Sequence, residues 1–141
     1  PNIIGLKEAR SDEARWHALY PLASENFALL SGDDPTFLRA MQGGAQGVIS
    51  VASNALPGTF SRICRHYQAG EVAQALDVDA QLQGLYDFLG CESKPIHVKA
   101  LRAGLGCGTG LRLPLLPLSA QYRENAESMT ALCKALELPL V

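Results

Sequence analysis

Short apolar runs and amphipathic stretches take turns along the first seventy residues. Asn2-Ile3-Ile4-Gly5-Leu6, ending at Lys7, predicts a first strand. Ser11 or Asp12 then caps a helix to about Leu22, with Ala14, Ala18 and Leu22 at helical spacing. Phe27-Ala28-Leu29-Leu30-Ser31 predicts a second strand, and Asp34 before Pro35 predicts an N-cap with proline in the first helical turn. That helix should end near Met41, before Gly43-Gly44. Gly47-Val48-Ile49-Ser50-Val51 predicts a third strand, and Pro57 opens a helix that Gly70 stops.

From Glu71 onward the pattern is helical, over roughly 71–89, 95–105 and 119–137. Between the last two, the run Leu111 to Leu118 carries Pro114 and Pro117, which forbid a regular helix and predict an extended connector. Ser119 is placed to cap the final helix. The expected organisation is therefore βα units over 1–70 and a helical region over 71–141. Strand–helix alternation predicts a parallel sheet, and three parallel strands leave edges and a face that want covering. With a strand beginning almost at residue 1, the chain reads as a piece of a larger barrel.

Composition narrows the function classes. The 141 residues are 48% hydrophobic and 18% charged, a globular balance. A net charge of −2 without a basic stripe argues against nucleic acid as a partner. No apolar run approaches the roughly 18 residues of a membrane span. Cys64, Cys91, Cys107 and Cys133 are widely spaced without a CxxC, which favours reduced thiols in a cytoplasmic protein over a metal site. Gly43, Gly44 and Gly47 precede a strand and so read as a turn and not a phosphate cradle. His17 and His66 read as helix-surface residues. Trp16 and the tyrosines read as packing residues.

Lys7 is the most informative position. Ile3, Gly5 and Lys7 share one face of the first strand and Glu8 takes the other. In a βα barrel the C-terminal ends of strands carry the chemistry, and an amine placed there can form a Schiff base with a ketone. Such an amine must be uncharged to attack, which an apolar surround favours. Gly5, on the same face, is expected to leave room beside the lysine stem. Asp33 and Asp34 look like paired carboxylates, but the position of Pro35 favours helix capping.

Five motifs occur in one order: GLKEA at 5–9, LLSGDD at 29–34, GVISVASN at 47–54, KPIHVK at 94–99 and LRLPLLPLS at 111–119. Together they make the chain resemble the C-terminal half of the dihydrodipicolinate synthase family of pyruvate-dependent class I aldolases. His97 and Lys94 depart from that family's usual proline and asparagine. The resemblance implies an α/β fold, with this stretch supplying units six to eight of a (β/α)8 TIM barrel plus C-terminal helices. It leaves on the order of 150 residues of barrel to come from elsewhere.

It also implies that Lys7 is the Schiff-base nucleophile, that Ile49 lines the pyruvate pocket with its backbone near the amine, and that Gly32 is a wall where backbone approaches substrate. The implied reaction condenses pyruvate with L-aspartate 4-semialdehyde to 4-hydroxy-tetrahydrodipicolinate in lysine (diaminopimelate) biosynthesis. It needs no metal and no organic cofactor. The implied assembly is a homotetramer whose weaker contact includes Glu13, Arg39 and Gln42. The proton relay, the carboxylate-binding arginine and the lysine-feedback site would all lie upstream, so the isolated chain is expected to be nearly inactive. Two alternatives stand beside this: another aldolase of the family, such as N-acetylneuraminate lyase, and an inert half-barrel that associates through its uncovered edges.

Overall fold

The computed structural model describes residues 2–108 and 110–137. It divides into two compact units, Pro1–Val51 and Ala52–Val141. The first holds a parallel sheet of β1 (Gly5–Glu8), β2 (Ala28–Ser31) and β3 (Gly47–Val48), in that spatial order, with α1 (Glu13–Leu19) and α2 (Phe37–Gln42) in the connections. Lys7 stands opposite Leu30 and Leu30 opposite Gly47, so the register carries one row across all three strands.

All three strands are shorter than the apolar runs that announced them, because ladder pairing lasts only as long as the neighbour does. Ile3 and Ile4 precede β1 and are 76% and 77% exposed. The chain leaves β3 soon after Ile49 N–H donates to Ser31 O at 2.7 Å. The two sheet faces differ sharply. Leu29 and Ser31 are wholly buried on the face toward which α2 packs, whereas Ala28 and Leu30 on the other face are only half-buried. Trp16, Leu19, Leu29, Phe37, Leu38 and Met41 form this unit's apolar core.

Asp12 caps α1 as its sequence position suggested, with its Oδ1 accepting from Arg15 N at 3.1 Å. Trp16 is packing and not platform: it is buried, stacks on Tyr20 at 5.8 Å, and donates its Nε1–H to Arg10 O at 2.9 Å.

The second unit is helical: α3 (Pro57–Gln68), α4 (Val72–Ala80), α5 (Gln83–Phe88), α6 (Ile96–Gly104) and α7 (Arg123–Leu136). Gly70, at φ 81°, ends α3 in a conformation that favours glycine. The helix expected over 71–89 is two. Gln81 and Leu82 donate to Val78 O and Asp79 O, three residues back, so the turn tightens between α4 and α5. Tyr86 spans the break by donating to Asp79 Oδ1 at 2.6 Å. Residues 110–118 contain no helix, as their prolines require. Leu111, Leu115 and Leu118 are half-buried, while Leu113 and Leu116 are exposed. Ser119 starts a 3-10 turn over Ala120–Tyr122 without a capping side-chain bond.

The N-terminus of α3 has no local side-chain cap. Glu137, just past α7, fills that role: its carboxylate accepts from Gly58 N at 2.7 Å and Thr59 N at 3.3 Å. The wholly buried Thr59 donates its hydroxyl to Leu136 O at 2.8 Å. A carboxylate at a helix N-terminus satisfies free N–H donors and meets the positive end of the dipole. Glu137→Ala should therefore cost about 1–3 kcal/mol of unfolding free energy, measured by urea denaturation at neutral pH.

His97 turns out to be a core residue. It is wholly buried in α6, its Nδ1 accepts from Val98 N at 2.8 Å, and its ring meets Phe88 edge-on at 6.4 Å. Burial, and then the nearby Lys94 charge, pull its pKa below the usual imidazole value. The unfolded chain therefore takes up this proton more readily than the folded one. Stability is complete above about pH 6.5 and declines as pH falls through that value toward the folded pKa. The urea midpoint should drop between pH 7.5 and 5.5, and His97→Asn should shrink that drop.

Candidate active site

The sheet register decides what the candidate residues can do together. Lys7, Leu30 and Gly47 form one row. The next row, Glu8, Ser31 and Val48, points to the opposite face because strands alternate. One residue further on come Gly32, whose N–H donates to Glu8 O at 2.8 Å, and Ile49, bonded to Ser31. Lys7, Gly32 and Ile49 thus lie at the C-terminal end of the strands and on one face.

Lys7 is exposed on that face and Ile49 is 50% exposed, while Gly32 is buried. Gly32 lies against Lys7 and Ala9. A Cβ built on Gly32 would stand 2.4 Å from Lys7 Cε and 2.9 Å from Ala9 Cβ. The absent side chain at Gly32 is the groove in which the lysine stem lies. Gly5 has a different task from the one expected of it: its missing side chain admits the Ala28 carbonyl, 2.6 Å from where a Cβ would be.

The opposite face anchors the same strand end. Glu8 Oε2 accepts from Arg15 Nε at 2.8 Å and Glu8 Oε1 accepts from Arg10 N at 2.9 Å. The Arg15 hydrogen bond first, and then the Arg10 N–H, hold the Glu8 carboxyl below the usual range. The residue that follows Lys7 is therefore held in place from the opposite face.

The acidic pair behaves differently from the capping expected of it. Asp33 occupies the N-cap position of the 3-10 turn Asp34–Thr36 but makes no side-chain bond to a cap N–H; its Oδ2 accepts from Thr36 Oγ1 at 2.6 Å. Asp34 is buried and its Oδ2 accepts from Val51 N at 3.1 Å, tying the loop after β2 to the segment after β3. Sequence offers no signal for this role. An Asp before Pro reads as a cap whether or not its side chain reaches another strand.

Glu13 and Arg39 form an exposed ion pair joining α1 and α2, which is worth little by itself in water. All four cysteines are free thiols. Burial, and then Glu137, push the Cys133 thiol up to about 11, so it is inert at neutral pH. Among the described residues no group of three His, Cys, Asp or Glu side chains is placed to hold a metal ion, and no helix is long and apolar enough to cross a membrane.

A parallel βα sheet with a lysine at its C-terminal edge defines the class: an α/β protein whose three parallel strands are consistent with part of a barrel. Comparison makes this specific. The sequence model of the Dihydrodipicolinate synthetase family matches residues 1–132, and the chain belongs to that family.

The 4-hydroxy-tetrahydrodipicolinate synthase of Xanthomonas axonopodis pv. citri is 50% identical over 137 residues, covering 97% of this chain and 45% of that protein. The corresponding synthase of Shewanella baltica is 47% identical over 123 residues, covering 85% of the chain and 42% of that protein. Among solved structures, the synthase of Methylacidiphilum fumariolicum superposes with a TM-score of 0.87 at 36% identity, over 95% of this chain and 45% of that one. The chloride-inhibited dihydrodipicolinate synthase of Acinetobacter baumannii complexed with pyruvate gives 0.85 at 39% identity, over 95% and 46%. The chain therefore spans less than half the length of these relatives.

Filling the groove tests the geometry directly. Gly32→Ala must displace the Lys7 stem, and the Ala9 contact cannot yield as a flexible side chain could. The substitution should destabilise by about 1–3 kcal/mol in urea denaturation, and Lys7→Ala in the same chain should recover part of the loss.

Proposed function

We propose that this chain is the part of a 4-hydroxy-tetrahydrodipicolinate synthase that carries the Schiff-base lysine. Residues 1–70 are the last three βα units of its TIM barrel and 71–141 its C-terminal helices. The observation that carries this is Lys7: a lysine at the C-terminal end of a parallel strand, on the half-covered face, with its stem seated over Gly32. Membership of the family supports it.

In the proposed reaction the Lys7 Nζ lone pair attacks the keto carbon of pyruvate, and loss of water gives an iminium. A methyl proton then leaves and its bonding electrons form an enamine, with the iminium nitrogen as electron sink. The enamine carbon adds to the aldehyde of L-aspartate 4-semialdehyde, and attack by that substrate's amine closes the ring and releases Lys7. Ile49 supplies an apolar wall and a backbone beside the imine, and Gly32 fixes the direction from which Nζ approaches. No metal or organic cofactor enters this scheme.

The three residues contain no general acid or base. Such groups typically contribute about 10²–10⁴-fold, and the tyrosine–threonine relay and the arginine implied by the family resemblance would come from barrel units that these residues do not match. The proposed setting is cytoplasmic and the proposed assembly a homotetramer. One solved relative is described as a monomeric dihydrodipicolinate synthase variant, which makes the assembly a question for light scattering. A second reading has its own support: exposed Ile3, Ile4 and Ile49 would favour self-association of an inert half-barrel.

The two readings separate in a trapping experiment. A chimera is made in which these 141 residues replace the matching stretch of the Xanthomonas relative. It is incubated with pyruvate, reduced with borohydride and mapped by mass spectrometry. The reduced pyruvyl group should sit on Lys7, and Lys7→Ala should abolish both the adduct and the condensation. An adduct that persists in Lys7→Ala would sink the assignment. A folded chimera that takes up no pyruvate would favour the inert half-barrel.

A further inference from the structure

Asp34 is a buried ionisable group for which the proposed chemistry has no use, and its hydrogen bond connects two parts of the candidate site. The chain reaches Asp34 two residues after Gly32, the seat of the lysine stem. Its carboxylate, in a residue only 7% exposed, crosses to Val51 N–H, two residues beyond Ile49. The ladder between β2 and β3 has already ended there, its last bond being Ile49 N–H to Ser31 O. Beyond that bond, register no longer fixes the backbone on the carbonyl side of Ile49, and the Asp34 carboxylate takes up a backbone donor that a longer strand would have paired.

The neighbouring bonds stiffen the Asp34 end. Ser31 Oγ accepts from Asp33 N at 3.2 Å and lies 3.3 Å from Asp33 O, and Asp33 holds Thr36. Ser31 itself is wholly buried. The carboxylate therefore projects from a braced turn, and a braced acceptor transmits position instead of drifting with its partner.

We propose that Asp34 is a positioning residue of the Schiff-base site. Through the Val51 N–H it sets where the Ile49 backbone stands relative to the lysine seated on Gly32. This rests on the assignment of Lys7 as nucleophile. Asp34 touches no substrate in this scheme and moves no proton. It governs the reaction because small misplacement of reacting groups costs rate steeply, on the order of 10²-fold per ångström.

The test uses the same chimera and the rate of pyruvate trapping at saturating pyruvate. Asp34→Ala removes the acceptor, and Asp34→Glu keeps the charge but moves the carboxylate outward. Both should trap about tenfold more slowly or worse at a temperature where circular dichroism shows them folded. Asp34→Asn keeps one oxygen for the Val51 N–H and should trap within about threefold of the parent, a rescue that a site needing the charge itself would not allow. If either the alanine or the glutamate variant is folded and traps at the parental rate, the positioning role is overturned. A folded asparagine variant as slow as alanine overturns it equally. If the parent chimera itself forms no Lys7 adduct, the nucleophile assignment fails, and that failure is visible before any Asp34 variant is made.

Discussion

The contact between the Lys7 stem and Gly32 is the constraint on which the rest of this site depends. A lysine side chain has four rotatable carbons and sweeps a wide volume unless something confines it. Here confinement comes from a missing atom, since any Cβ at Gly32 would overlap Lys7 Cε. The groove lies in β2's continuation and the lysine in β1, so their meeting requires correct parallel register. A slip of one residue would send Lys7 to the face occupied by Glu8. Register, in turn, is fixed by the asymmetry of burial. Leu29 and Ser31 must go inside, and Lys7 on the alternate parity must then come out on the half-covered face.

This arrangement divides labour between the two faces. The buried face supplies stability through apolar packing and through the bracing of Glu8 by Arg15 and Arg10. The other face carries Lys7, Gly32 and Ile49, of which Lys7 and Ile49 are exposed. Ile49 and the isoleucines before β1 are exposed.

Tertiary partners override local rules in two further places, and both involve carboxylates. The N-terminus of α3 takes its cap from Glu137, a residue almost eighty positions away, because Leu56, Pro57 and Gly58 offer no side-chain acceptor of their own. Asp34 has the sequence setting of a cap and bonds to Val51 instead. In each case a backbone donor is met by a carboxylate that the fold brings near, since an unmet donor costs more than a cap gains.

Sequence alone determined the order and type of the elements, the family through its five motifs, and the parity that puts Lys7 and Glu8 on opposite faces. These follow from periodicity and from residues whose meaning is local: prolines, capping aspartates, glycines that end helices. Only the tertiary structure decided which glycine houses the lysine stem, where Asp34 sends its carboxylate, that the helix over 71–89 breaks, and that His97 is a core residue. Those outcomes depend on which atoms from distant positions occupy the same space, and a linear pattern records spacing along the chain without recording what meets across it.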